Sequence, residues 1–584
     1  TFDGAVTVAG NFSVDGGTIK LDGNYPVGTA NVALGNNALS SATSANDSIA
    51  IGDNALLNNT SGSDNTAVGT SAMKENTTGS NNSAYGVLAL DDNTTGASNV
   101  GVGHGALRLN TTASYNTAVG YQAGYSNTTG GSNTALGYRS LYTNTTGVIN
   151  TAIGYQSLYS NTTGNFNIAV GQDALKANTA ASNNTAVGYQ AGYSSTTASG
   201  ATAVGYKALY ANNEGTNAAF GDRALTANTS GFYNTAIGNG SSSATTTGIS
   251  NTSVGYSSFS LNTTGSYNTA VGMSALYSNT TASNNTAVGY QALTANTTGA
   301  DNVAVGSGAL DANTIGNYNI AVGLNSLTAN TTASGNNAFG HAALQNNTTG
   351  ANNTSVGFLS LQANTTASTN TALGFQTLTQ NTTSGNNTAV GYQAGFSHVS
   401  SGGLNTFMGH SAGYYTTEQR NTFIGDNAGY YVTTGSKNTI IGRYNGNAGG
   451  LDIRTASNYI VLSDGDGNPR MYSDASGNFT VGGRINGVKQ SGGVVSIPKG
   501  QSYTFTRSSF TYRHLFVTIG GVVSAFGGTT GMYLCAYQNQ VVTISAAYNL
   551  AVTCNDSTGT VTITNNNTTY GTFDGNVIIF GESL

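Results

Sequence analysis

The 584-residue chain has no tryptophan, two cysteines, three prolines and very little charge. Asp, Glu, Lys and Arg make up 7% of it, against roughly 25% in ordinary globular proteins. Each scarcity removes a class of protein. With Cys535 and Cys554 alone there is no disulfide framework. A net charge of −6 and no basic cluster argue against a nucleic-acid surface. No apolar run is long enough to cross a bilayer, so no membrane insertion is expected. Chemistry-bearing groupings are missing as well. There is no Gly-x-Ser-x-Gly elbow, no metal-binding His pair and no phosphate loop, and the carboxylates are too scattered for the paired acids of a polysaccharide-cutting enzyme. Neither enzymatic activity nor a cofactor is expected.

What is present is a period. Gly, Asn, Thr, Ser and Ala dominate, a composition that by itself suggests disorder. The pattern Asn116-Thr117-Ala118-Val119-Gly120 contradicts that, because its relatives recur from about Asn31 to Arg443. Aligned on the final glycine, the copies fall at Gly35, Gly52, Gly69 and onward in steps of 17 to Gly205. After one step of 16 to Gly221 the rhythm resumes to Gly391, and steps of 18, 16 and 17 close it at Gly442. A fixed short period is the signature of an all-β solenoid whose coils stack about 4.8 Å apart.

Each repeat position therefore becomes a column along the solenoid. The residue before the glycine is bulky and apolar (Val68, Val119, Ile153, Phe220), and the one before that is small (Ala67, Ala118, Ala152, Ala219). Strand neighbours point to opposite faces. The small column suits the inside of a narrow coil, and the bulky column needs cover, most simply from another copy of the chain. A leucine or methionine follows four residues after most anchor glycines, as at Leu56, Met73 and Leu141. Where glycine replaces it, as in Gly124-Tyr125 and Gly413-Tyr414, the adjoining ring is expected to fill the vacated space. Asn-Thr-Thr-Gly and the anchor Asn read as turn chemistry, with stacked asparagines able to form hydrogen-bonded ladders. Pro26, Pro469 and Pro498 all lie outside the repeats, which need their N–H groups for pairing.

Around this rod, 31–443, three further modules are expected. Residues 1–30 read as short strands with glycine turns. Residues 444–484 read as a hairpin junction, and 485–584 as a β-sandwich tip of alternating strands such as Leu515-Phe516-Val517-Thr518-Ile519. The tip holds the candidate receptor-binding residues Tyr503, Phe510, Tyr512, Arg513, His514, Tyr533 and Tyr537. Aromatic and Arg surfaces suit sugars and protein receptors alike, though such rings also serve as core in a module without tryptophan. In the rod, Tyr121, Tyr138, Tyr155 and their counterparts either stack sugars or shield the strand column beside them. His104, His341 and His410 share that mixed column. Asp464, Asp466 and Asn468 have the opening spacing of a calcium loop, but Ala475 stands where its glutamate belongs, so a hairpin turn is the simpler reading.

The Asn-Thr-Ala-Val-Gly repeats resemble the β-roll heads of trimeric autotransporter adhesins of the YadA type and, more closely, the repeat rods of bacteriophage tail fibres. The stretch Ile460–Tyr472 is similar to the segment that commonly ends such rods. The resemblance covers residues 31–483. It implies a parallel homotrimer, located in the virion, that binds a host cell-surface glycan or protein receptor. The chain opens on Thr1 without Met or a signal-peptide pattern. That points to a longer product whose N-terminus would join phage tail or baseplate proteins. The alternative is a bacterial surface adhesin or extracellular filament component. The coiled-coil stalk and membrane anchor of autotransporters and the self-cleaving chaperone of many phage fibres have no counterpart in these residues.

Overall fold

The computed structural model describes residues 29–399 and 402–482 with their side chains and, beyond Gly482, the backbone of strands between Arg484 and Ser583. No helix occurs among the described residues. The chain divides into two compact units, Thr1–Asn386 and Asn387–Leu584. The 17-residue repeat forms a parallel β-solenoid of 25 coils, 21 in the first unit and four in the second.

In the first unit each coil contributes one three-residue strand, from Val32–Leu34 to Thr371–Leu373. Strands of successive coils pair in parallel with like residues opposite: Thr117 with Thr134, Ala118 with Ala135, Val119 with Leu136. Pairing continues round the coil. Leu107 N donates to Ala123 O at 2.9 Å, and Thr111 N to Thr128 O at 3.0 Å. Where the period drops to 16 residues the strand register is kept, Val204 facing Phe220. The missing residue comes out of the turn, where Asn212 and Asn217 stand five apart and are joined by a 2.9 Å hydrogen bond.

The strand's two faces separate as expected. Ala118, Ala135 and Ala152 are buried, while Leu136, Ile237 and Leu373 of the bulky column are more than 40% exposed. The anchor glycine has a local reason. Gly120 sits at φ +139°, and a Cβ there would collide with the Gly137 carbonyl of the next coil.

The leucine column is less expected. Leu107, Leu141 and Leu276 are buried, yet their φ values are 51°, 52° and 52°, in the left-handed region. That conformation costs a non-glycine residue about 1–2 kcal/mol. Burying a leucine returns about 2–3 kcal/mol, which is why leucine prevails over glycine in most coils. Where glycine does occur, the following ring is not the filler. Tyr125 is half-buried and stacks on Tyr142, which itself follows a leucine. The space at Gly124 is filled by Leu107 of the preceding coil, whose Cδ2 would stand 2.9 Å from an added Cβ. At Gly413 and Gly429 the filler is Phe407 or Phe423, rings of the normally small column.

The rest of the interior is amide. Asn76, Asn93, Asn110 and Asn127 are buried, and each donates from Nδ2 to the Oδ1 of the asparagine one coil back. A second column runs through Asn65, Asn82, Asn99 and Asn116, where each backbone N donates to the preceding Oδ1 at 2.9 Å. These asparagines serve the ladders rather than a left-handed turn. The glycine of Asn-Thr-Thr-Gly is likewise not a positive-φ position, and Ala113 and Ala181 occupy the same column.

In the second unit the solenoid strands are Thr388–Val390, Thr406–Met408, Thr422–Ile424 and Thr439–Ile441. The last pairs in parallel with Ile460–Ser463, which turns back antiparallel onto Pro469–Ser473, itself paired with Phe479–Val481. Here the interior becomes larger and more apolar: Phe407, Phe423, Ile440, Val432, Tyr444 and Val461 are all fully buried. Further on, strands form two antiparallel four-stranded sheets. One contains Ser491–Ile497, Phe573–Ser583, Tyr512–Val523 and Phe526–Cys535. The other contains Ser502–Thr506, Thr560–Asn565, Leu550–Asn555 and Val541–Thr543.

Candidate functional site

The candidate tip residues are placed only by their backbone. Tyr512, Arg513 and His514 begin one strand, and Tyr533 lies on its hairpin partner, opposite Val517. Tyr503 belongs to the other sheet, opposite Ile563. Phe510 and Tyr537 lie outside the described residues.

Along the first unit the tyrosines form continuous stacks. His104, Tyr121, Tyr138 and Tyr155 follow one another with ring centroids 5.3, 5.4 and 5.1 Å apart. A parallel stack, Tyr125–Tyr142–Tyr159, runs beside it at 5.2 and 5.1 Å. Arg139 lies between the two, its guanidinium 5.3 Å from the centroids of both Tyr138 and Tyr142. Lys207 repeats the arrangement with Tyr206 and Tyr210. Stacking at the coil spacing occupies the ring faces and leaves edges and hydroxyls outward. Within these runs the rings shield one another and their neighbours, and their faces are closed to a sugar. The histidines act as aromatic rungs: His341 stacks on Phe358 at 5.2 Å and His410 on Tyr392 at 5.1 Å.

In the second unit the same columns end in a cleft of about 580 Å³. The column that follows the anchor glycines contributes Tyr392, His410 and Arg443 to the lining of the cleft. Beyond Tyr392 and His410 it changes to Asp426 and Arg443. His410 Nδ1 lies 3.2 Å from Asp426 Oδ1, and Arg443 Nε lies 3.0 Å from Oδ2, so one carboxylate bridges both side chains. The lining also carries Tyr430, stacked on Tyr414 at 5.1 Å and edge-on to Tyr431 at 4.8 Å. Burial pushes the Tyr430 hydroxyl up, so it remains neutral at physiological pH. Gln393, Ser411 and Asn427 also line the cleft. Asn427 holds φ +53°, its backbone N fixed on His410 O at 2.8 Å.

Two loops close the far end. Ala448 comes from the hairpin Asn447–Ala448 and Leu451–Asp452, and Asp466 and Gly467 from the turn before Pro469. A Cβ on Gly467 would lie 3.0 Å from Arg443 O, so this turn lies directly against the solenoid backbone. The turn is held by Asp464, which accepts from Asn468 N at 2.9 Å, Asp466 N at 3.1 Å and Arg470 Nε at 2.8 Å. The Asn468 amide first, and Arg470 with it, holds the Asp464 carboxyl down at about 2. Its oxygens are engaged by the turn itself, which is hairpin chemistry rather than a calcium loop.

Comparison with family models, curated proteins and solved structures finds no match to this chain. The geometry stands alone. Sequence reasoning singled out Tyr392, His410 and Arg443 as members of a column and Asp466 as part of a turn, but did not join them with Asn427 and Asn445 in a site, nor place Asp426 beside it. For Asp426 and Arg443 the signal was the column's change from rings to charges after His410; Asn427 and Asn445 carried none.

Proposed function

We propose that this chain is the shaft-bearing part of a homotrimeric fibre that attaches a bacteriophage to its host surface. The observation that carries the proposal is the outward face of the solenoid strands. Its two columns, exemplified by Thr117 and Val119, contain no charged residue in any of the 25 coils. Leu34, Leu136, Ile237 and Leu373 in the first unit, and Met408 and Ile441 in the second, are each more than 40% exposed in the single chain. The bulky column is apolar in every coil and lies beside an uncharged, mostly threonine column, which together have the composition of an interface core. A partner that follows it coil after coil must share its axial repeat, and a second copy of this chain does so without mismatch. The number three comes from the resemblance to phage fibres and trimeric adhesins.

Sedimentation of the intact chain tests the assembly: a trimer is expected, and a stable folded monomer overturns it. Ile237→Glu with Val288→Glu places charge in the bulky column and should release monomers. Competition tests the role. Purified chain should block adsorption of the phage to its host, and cells that bind none of it would overturn host attachment. A membrane-anchored full-length product would favour the bacterial adhesin instead.

A further inference from the structure

We infer that the cleft at the end of the solenoid is a binding site for a neutral, hydroxyl-rich saccharide, separate from the candidate residues of the tip. This rests on the host-surface reading and names the ligand chemistry of one site. The cleft is the right size, within the roughly 300–1,000 Å³ of small-ligand sites. Its chemistry is mixed in the way a sugar demands. A hydroxyl group donates and accepts, so its binding site needs both kinds of partner close together. Amides at Asn427 and Asn445 supply both, the Asp466 carboxylate accepts, and Arg443 donates.

The charge balance selects against an acidic sugar. Asp466 is the carboxylate that lines the cleft, and its basic side chains, Arg443 and His410, are already held by Asp426 beside it at 3.0 and 3.2 Å. A uronate or phosphate would meet repulsion without a free cation. Aromatic surface supplies the rest. Tyr431 is 48% exposed, stands edge-on to Tyr430 and lies parallel to Tyr415 at 6.4 Å, a looser approach than the 5.4 Å between Tyr121 and Tyr138. Sugar C–H faces pack against such rings.

The site is also held in shape before any ligand arrives. Asn427 sits on the fixed coil register, and the Asp464 turn is pinned to its own amides. Preorganisation of this kind lowers the cost of binding. It arises where the last coils have hairpins standing beside the columns.

The test uses the intact chain and saturation-transfer NMR with neutral hexose and N-acetylhexosamine oligosaccharides, with a uronic-acid oligosaccharide as the contrast. Neutral oligosaccharides should give transfer, and the uronic acid little. Tyr431→Ala and Asp466→Ala, both at exposed positions, should each weaken binding at least tenfold with thermal melting unchanged. Arg513→Ala in the tip should leave it intact. Absence of neutral-sugar binding, or binding that survives both cleft variants, overturns the assignment. Loss only on Arg513→Ala also overturns the cleft but leaves host recognition standing. Sugar binding in the cleft by a chain that blocks no adsorption would instead remove the host-attachment role and keep the site.

Discussion

Asn93 Nδ2 lies 2.7 Å from Asn76 Oδ1, one coil away, and 2.9 Å from the Gly96 carbonyl of its own coil. The Oδ1 of Asn93 in turn accepts from Asn110 Nδ2 at 2.7 Å. Every polar atom of this fully buried side chain is therefore committed. Replacing it by alanine strands an acceptor on one side and a donor on the other, at about 1–3 kcal/mol per orphaned group. Asn93→Ala is expected to lose roughly 2–5 kcal/mol. The loss will be local, since solenoid coils depend on their neighbours, so hydrogen exchange over residues 76–110 is the measurement. Thr78→Ala, at an exposed position of the same turn, should stay within about 0.5 kcal/mol.

Two glycines that look equivalent in sequence should respond differently. Gly120 combines φ +139° with close approach to the Gly137 carbonyl. Gly120→Ala should cost at least about 2 kcal/mol, from backbone strain plus the shift the contact forces. A Cβ on Gly130 would also meet a carbonyl, that of Gly147, but Gly130 has no positive φ, and Ala113, Ala181 and Ala198 in the same column show that the coils accommodate one by a local shift. Gly130→Ala should cost less than Gly120→Ala, because the contact must yield there but the backbone is not strained. Thermal unfolding of the two variants distinguishes them, and equal losses would contradict the assignment.

How much of this could be read beforehand follows from what repetition reveals. Residues at one fixed spacing in a solenoid must touch their own kind, so the in-register strands, the buried alanines and the Asn76–Asn93 ladder were legible. Backbone conformation was not. Leu141 at φ 52° looks in sequence like any core leucine, because apolarity reports burial and says nothing of φ. The filler at Gly124 was misjudged for a related reason: the space is bounded by the preceding coil's Leu107, while the adjacent Tyr125 points to the surface stack. The cleft was hidden because it joins columns to two hairpins, and Asp466 reaches it only once those loops fold back. The tip residues lie where side chains are not described.

Acid should weaken the second unit through His398. The ring is buried, with Nδ1 3.2 Å from Thr416 O and Nε2 3.4 Å from Asn405 Nδ2. Desolvation by burial, the leading cause, lowers its pKa below the usual 6.5, despite opposing hydrogen bonds to backbone at Thr416 and Gly402. The folded state then binds the proton less readily than the unfolded state. Stability is full above about pH 6.5 and falls as pH drops through the unfolded value towards the lowered folded one. Exchange protection around residues 398–416 should decline as pH falls below about 6.5. His398→Asn, which restores a residue common in that column, should flatten the decline.

The coil from Gly238 to Ser253 offers a gain rather than a loss. Ser241, Ser242 and Ser253 stand where other coils carry alanine, leucine and alanine, and all three are buried. Ser253 Oγ lies 2.7 Å from both Ser241 Oγ and Ser242 Oγ, and Ser241 reaches Ser258 at 3.1 Å. Phe259, fully buried, replaces the leucine of the next coil and is larger, which compensates the small Ser242. Removing only the hub should hurt. Ser253→Ala takes from the buried Ser242 hydroxyl its partner at 2.7 Å, at about 1–3 kcal/mol, while Ser241 keeps Ser253 O at 3.2 Å and Ser258 Oγ at 3.1 Å. Removing the whole cluster should help, because exchanging matched buried polar groups for apolar ones of suitable shape is neutral or stabilising. The combination Ser241→Ala, Ser242→Leu, Ser253→Ala and Phe259→Leu restores the prevailing columns without crowding the introduced leucine side chain against a ring. Its melting temperature should rise while that of Ser253→Ala alone falls. A fall in both would mean that the serine network contributes more than the leucine packing it displaces.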